Sequence, residues 1–320
     1  MTGLKWSSPL STPTIQSTLN PNKSPPFVSV ALITYNEMST IEQCLSSIDL
    51  QDYPRDRFEV VVVDGGSTDG TLELLEKHSV GLVVERRRGR GRARNTAMEN
   101  CKGEVIIFTD ADCLPSRSWL GRHVALHRDP KIMAVAGSVM HGGDRSLSAR
   151  FYHRTEFSAF SNTNRRGEAR EVATCNASFK PAVFSLVGPF PELNWSEDYL
   201  LSWRIRRAGL GLVFDPAVQV VHLHEAMGLR SLLGKIWQQG RYDRILQDAF
   251  GDDPAYRLPR DAWLVATMLP SLLIARLLRY TAKVLQSDSR NYELLVFPPY
   301  LIAASIAWAL GYFVSSLGAR

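Results

Sequence analysis

The chain has 320 residues, 45% hydrophobic and 22% charged, proportions that exclude a wholly disordered chain, a collagen-like repeat and a disulfide-stapled miniprotein and that allow roughly 75% of the unfolded surface to be buried without help from a metal. Its formal net charge is +5, with 37 Lys and Arg against 32 Asp and Glu, which favours anionic partners without naming one. Cys44, Cys101, Cys113 and Cys175 stand far apart with no CxxC, so neither a zinc knuckle nor a redox motif is readable, and reduced thiols in a cytosolic compartment are expected.

Residues 1–26 are rich in Ser, Thr, Pro and Asn and contain no apolar h-region. This segment is expected to be a flexible leader, not a secretory signal, because it buries too little to offset its ordering entropy. From Phe27 the texture changes. Short β-branched apolar runs, Phe27–Ile33, Phe58–Val63, Leu82–Val84 and Val105–Phe108, predict strands buried on both faces, as in a parallel sheet. Helices are expected between them. One opens at a capping-box pattern, Ser39-Thr40-Ile41-Glu42, and runs to about Ile48; Thr71–His78 and Ala93–Asn100 supply two more. The alternation predicts a doubly wound α/β domain, which binds its ligand beyond the carboxyl ends of its strands.

Polar and acidic residues occupy those ends: Thr34-Tyr35-Asn36-Glu37, Asp64 with its following glycines, the run Arg86, Arg87, Arg88, Arg90, Arg92 and Arg94, and Asp110-Ala111-Asp112. Four such clusters together argue for a nucleotide site. In extended backbone Asp110 and Asp112 point to one side, and their mutual repulsion calls for a cation between them. Mg2+ or Mn2+ suits oxygen ligands shared with substrate phosphates. Asp64 is placed to accept a hydrogen bond from a base or ribose hydroxyl. The arginine run, interleaved with Gly89 and Gly91 and opening a helix near Arg92, fits pyrophosphate. Nucleic acid is not expected as a partner, because the run carries no aromatic stacking platform.

Further on, Glu197-Asp198 opens an amphipathic helix from Tyr199 to about Ala208, where a carboxylate is either a cap or a general base. His222 and His224 lie on one face after a strand-like Val218–Val221, and one of them is placed to complete a metal shell. Gln238-Gln239-Gly240-Arg241-Tyr242 lies in a helical stretch. An amphipathic interface segment is expected over 229–259 and membrane-associated helices over 260–320. Leu294–Leu317 is 24 residues without a charge, long enough at 1.5 Å per residue to span a ~30 Å hydrocarbon layer. Ala262–Ala275 is uncharged for 14 residues before Arg276 and Arg279, and either spans with snorkelling arginines or lies in the interface.

Taken in order, the motifs over Phe27 to about Tyr242 resemble a family 2 glycosyltransferase with the GT-A fold: a Rossmann-like, doubly wound mixed sheet over 27–228, followed here by interfacial or transmembrane helices. The resemblance implies that Thr34, Tyr35, Glu37 and Asp64 bind the base, and that Gly91, Arg94 and Asn95 form a loop over the diphosphate. It places Asp110 near the ribose, Asp112 and His222 on the metal, and Asn176 with Val187–Phe190 around the sugar and acceptor. Asp198 is the implied base, paired with Glu197. Gln238, Gln239, Arg241 and Tyr242 resemble the Q(Q/R)xRW signature of processive synthases, with Tyr242 in place of Trp. The implied activity is inverting, single-residue transfer from a nucleotide-diphosphate sugar, UDP being favoured, to a hydroxyl of a lipid-linked or cell-surface glycan. The catalytic domain would face the cytoplasm above a C-terminal membrane anchor. The alternatives are a processive synthase subunit and a catalytically inactive nucleotide-binding scaffold.

Overall fold

The computed structural model describes residues 24–250, 258–287 and 296–318; the expected leader, up to residue 23, lies outside them. The first half of the chain alternates strand and helix: β1 (Val28–Thr34), α1 (Ile41–Asp49), β2 (Phe58–Asp64), α2 (Thr71–Leu75), β3 (Gly81–Val84), α3 (Arg90–Asn100) and β4 (Val105–Asp110). The four strands are parallel, in the order β3-β2-β1-β4. β1, β2 and β4 carry apolar side chains on both faces and are almost wholly buried. β3 ends the sheet and is half-exposed, unlike the expectation for Leu82–Val84.

Two helix starts and one helix end also differ. Thr40 caps α1 without a side-chain hydrogen bond to it; its Oγ1 donates instead to Glu37 Oε2 at 3.0 Å, and Glu42 turns to His78 at 3.1 Å, so the capping box does not form. α2 stops at Leu75 because the next amides bond three residues back, Lys77 to Leu74 and His78 to Leu75. α3 starts at Arg90, earlier than expected.

Beyond β4 the sheet becomes mixed. There follow β5 (Cys113–Pro115), α4 (Trp119–His127), β6 (Ile132–Gly143), α5 (Leu147–Glu156), β7 (Gly167–Glu168), β8 (Asn176–Phe179), α6 (Ala182–Val187), α7 (Glu197–Arg207) and β9 (Gly211–His224). β8 runs antiparallel between β4 and β6; β6 lies parallel to β9, which takes β5 antiparallel. The strand order reverses between β1 and β4, so the crevice opens at Thr34 and Asp110.

Asn176, expected at the sugar and acceptor pocket, is fully buried in this sheet. Its Nδ2 donates to the carbonyls of Ser138 and Val218 at 2.8 and 3.0 Å, and its Oδ1 accepts from Trp119 Nε1 at 2.8 Å. It therefore ties β6, β8, β9 and α4 together. Phe190 likewise sits in the core, edge-on to Phe108 and Phe179.

Among the described residues three long helices follow β9: α8 (Leu229–Phe250), α9 (Ala262–Ser287) and α10 (Pro298–Leu317). Two helices among the described residues, Ala262–Leu285 and Pro298–Leu317, are long and apolar enough to cross a membrane. The first runs on past Ala275 through both arginines; residues 294 and 295 of the expected second span lie outside the described residues. α10 crosses α8 backbone to backbone. A Cβ on Gly240 would fall 2.1 Å from the Trp308 carbonyl oxygen, and one on Gly311 would fall 2.0 Å from that of Trp237.

Asn176→Ala should strand at least three buried polar groups and cost about 3 kcal/mol or more, seen as a lowered thermal midpoint with nucleotide-diphosphate affinity of the folded protein unchanged. Lost nucleotide binding at normal stability would return Asn176 to the site.

Candidate functional site

A cavity of ≈ 1320 Å³ opens at the ends of β1 and β4 and extends between α5, α7, α8 and α9. Ordinary small-molecule pockets measure about 300–1,000 Å³, so this one has room for two substrates. Thr34, Tyr35, Glu37, Arg94, Asp110, Asp112, Glu197, Asp198, His222 and Gln239 all line it.

β4 ends at Asp110, and Ala111-Asp112 form a turn into β5. The two carboxylates thus converge through a turn and not through extended backbone. The turn is fastened when Leu223 N–H donates to the Asp112 carbonyl at 2.7 Å. The same register pairs Cys113 with His222 and brings His222 Nδ1 to 3.5 Å from Asp112 Oδ2. Burial, then the Asp110 charge, push the Asp112 carboxyl up to about 7, and burial, then the Asp112 charge, do the same to Glu37. Burial lowers His222 to about 4, leaving a neutral imidazole; its Nδ1 has no hydrogen-bond partner. Crowded negative charge beside an unpartnered neutral nitrogen suits a divalent cation held by Asp112, Asp110 and His222. Ligand atoms of Asp112, Cys113 and His222 lie within 4.8 Å of one another, but burial raises the Cys113 thiol far above its ordinary value, and Mg2+ or Mn2+ prefers oxygen and nitrogen. His224 stacks on His222 at 4.4 Å and shares a 2.9 Å hydrogen bond with His153.

Arg94 is buried on α3 and ion-pairs with Glu197 and, at 3.4 Å, with Asp110. Burial works against its charge, but Glu197, Asp110 and Asp198 outweigh that and hold the guanidinium above its ordinary value. Arg94 is therefore committed to protein carboxylates and is a poor diphosphate ligand. Arg88 and Arg90, poised over the Tyr35 and Trp195 rings at 5.6 and 5.1 Å, line the cavity without an ion pair to any of the described residues. Arg92 pairs with Glu192, and Arg87 with Glu85.

Asp198 follows Glu197 at the start of α7. Its Oδ1 accepts from Tyr199 N–H at 2.8 Å, and its Oδ2 accepts from the Thr174 amide and hydroxyl, each at 3.4 Å. That orients one oxygen and leaves the other loosely held at the cavity wall.

Several expected ligand contacts are instead internal. Asp64 is fully buried: Oδ1 accepts from the Gly66 and Ser67 amides, and Oδ2 from the Ser67 hydroxyl. It shapes its own turn. Asn95 clamps both backbone groups of Phe190 at 2.9 Å. Gly91 is required because a Cβ there would fall 1.8 Å from the Pro191 carbonyl oxygen. Of the Q-Q-x-R-Y segment only Gln239 reaches the cavity; Gln238, Arg241 and Tyr242 lie off its wall, with Arg241 stacked over Trp237.

The sequence reading missed the wall that α8, α9 and α10 build. Gln239 Nε2 donates to Glu156 at 3.0 Å, and its Oε1 accepts from Arg276 at 2.8 Å. Asp243, one turn on, accepts from Trp308 Nε1 at 2.7 Å and lies 3.7 Å from Arg276. The i, i+4 spacing of Gln239 and Asp243 was the available signal.

A family model described as glycosyl transferase family 2 matches residues 29–187. Glycosyltransferase AglE of Haloferax volcanii is 32% identical over 233 residues, 68% of this chain and 72% of its own. The poly-beta-1,6-N-acetyl-D-glucosamine synthase of Staphylococcus aureus is 23% identical over 244 residues, 72% of this chain but 58% of its own. The solved mannosyltransferase PcManGT of Pyrobaculum calidifontis, in complex with GDP-Man and Mn2+, is similar with a TM-score of 0.56 and 26% identity over 91% of each chain. S. aureus TarS 1–349 with UDP shares the fold at a TM-score of 0.51 and 19% identity, over 91% of this chain and 90% of its own.

A raised acid is favourable to folding only while protonated, so in metal-free protein the Asp112 and Glu37 contributions decline as pH climbs from about 4 through about 7. Mn2+ needs the deprotonated carboxylate, so its calorimetric affinity should weaken by up to about tenfold per pH unit below about 7 and level off above it.

Proposed function

The chain belongs to glycosyltransferase family 2 and carries the GT-A fold, and on that footing we propose that this glycosyltransferase moves one sugar, with inversion, from a nucleotide-diphosphate donor to a hydroxyl on a lipid-linked or cell-surface glycan. The observation that carries the reading is the single cavity lined by Asp110, Asp112 and His222 together with Asp198.

The donor's nucleoside lies against Thr34, Tyr35 and Gly65 at the crevice mouth. With Asp64 committed to its turn, the contact expected to favour uracil is not available, and a panel of UDP- and GDP-sugars identifies the donor. Arg88 and Arg90 reach the diphosphate. A divalent cation on Asp112, Asp110 and His222 would supply charge neutralisation to the departing diphosphate. Asp198, oriented through Tyr199 N–H and Thr174, accepts the acceptor's hydroxyl proton as that oxygen attacks the anomeric carbon. Glu197 stays paired with Arg94 and keeps the start of α7 against the strand ends. The two apolar C-terminal helices anchor the enzyme, with the catalytic cavity on the cytoplasmic side.

Asp198→Asn should reduce turnover by about 10²–10⁴-fold with donor binding nearly intact, in line with loss of a positioned base; near-normal turnover would move the base elsewhere. Asp112→Ala should weaken Mn2+-dependent binding of the nucleotide diphosphate, and equal binding with and without EDTA in the unsubstituted protein would remove the metal from the reading.

A further inference from the structure

The cavity has a second charged wall. On α9, Arg276, Arg279 and Lys283 follow one another at intervals of three and four, which places them on one helical face, and all three line the cavity. The outward face of the same stretch is apolar: Ile274, Leu278 and Leu285 are 61%, 64% and 52% exposed. One helix therefore shows hydrocarbon on its outside and cations on its inside.

The cations differ in how they are engaged. Arg276 is held by Gln239, Asp243 and Tyr280, and Lys283 donates to the Thr155 carbonyl. Arg279 and Arg170, which also line the cavity, make no hydrogen bond or ion pair with the described residues. Two carboxylates oppose them, Glu156 and Glu171. Glu156 is engaged by Gln239, and burial pushes Glu171 above its ordinary value despite the charges of Lys283 and Arg279. Asp198 is among the charges that act on Glu171, so this cationic wall adjoins the proposed base.

We infer that this wall binds the phosphate of the acceptor: a saccharide joined through a phosphate or diphosphate ester to an apolar chain that stays in the bilayer. The inference rests on the transfer reading above and names its acceptor class. Guanidinium groups recognise phosphate oxygens in pairs. The exposed apolar side chains of α9 give the tail a route along the helix to Arg279, and the cavity volume leaves space for the sugar between that phosphate and Asp198. A neutral glycolipid has no use for two cavity-lining guanidinium groups that pair with none of the described residues.

The full chain in phosphatidylcholine nanodiscs can be titrated with dodecyl phosphate, dodecyl glucoside and inorganic phosphate. Dodecyl phosphate should bind at least about tenfold more tightly than either of the others. Arg279→Ala and Arg170→Ala, both at exposed side chains, should each weaken it by about tenfold, with Arg279→Lys recovering part of the loss and UDP binding retained as evidence of an intact fold. Equal affinity for the two alkyl probes would overturn the inference, as would unchanged dodecyl phosphate binding in the doubly substituted chain. If inorganic phosphate binds as well as dodecyl phosphate, the source is a soluble anion; if phosphatidylglycerol in the disc displaces the probe, the site takes the bilayer's own headgroups. Either result sinks the acceptor assignment. Failure of the transfer reading shows separately, as no nucleotide released from any nucleotide sugar.

Discussion

Arg94 is the hinge-pin of the site. It stands on α3, fully enclosed, and touches both the carboxylate that ends β4 and the carboxylate that starts α7. A buried cation of this kind is tolerated only with good partners, and removing one partner from such a pair typically costs about 3–5 kcal/mol because a charge is left stranded. The same pairing sets the distance between the proposed metal-binding turn and the proposed base, since Asp110 leads directly into the turn that carries Asp112, and Glu197 and Asp198 start α7 together. Asn95, one residue on, grips Phe190, and Gly91 lets the chain after α6 lie flat on α3. Three neighbouring residues thus lock the α7 segment to the first half of the sheet.

The cavity that results has two faces of different chemistry. Strand ends and the arginine loop make one, crowded with carboxylates that hold protons near neutrality until something positive relieves them. Helices α8, α9 and α10 make the other, where Gln239, Asp243, Arg276 and Trp308 share a single network. The close crossing at Gly240 and Gly311 brings the Trp308 indole within reach of Asp243, so the packing of the apolar helices and the shape of the site are one problem.

The strands and their ends were legible in the sequence because a buried parallel strand leaves an unbroken apolar run, and its last residue is marked by the first polar one. That placed Thr34, Glu37, Asp110 and Asp112 at the mouth of the crevice. Direction was not legible. Asp64, Asn95 and Asn176 are the residue types that bind ligands, but they are also the types that satisfy stray backbone groups, and each turns inward to do so. Arg94 was read as a phosphate ligand because its carboxylate partner lies 103 residues away along the chain, beyond any local pattern. The helical wall was missed for a similar reason: Glu156, Arg276 and Trp308 are unremarkable within their own helices and become a site only through packing.

Trp308 and Arg276 belong to the apolar tail, yet both are masonry of the chamber that holds the proposed site. Cutting the chain before Ala262 would leave Asp243 and Gln239 facing water and the chamber open on one side. The catalytic half is not a detachable head on a greasy stalk; the tail is one of its walls.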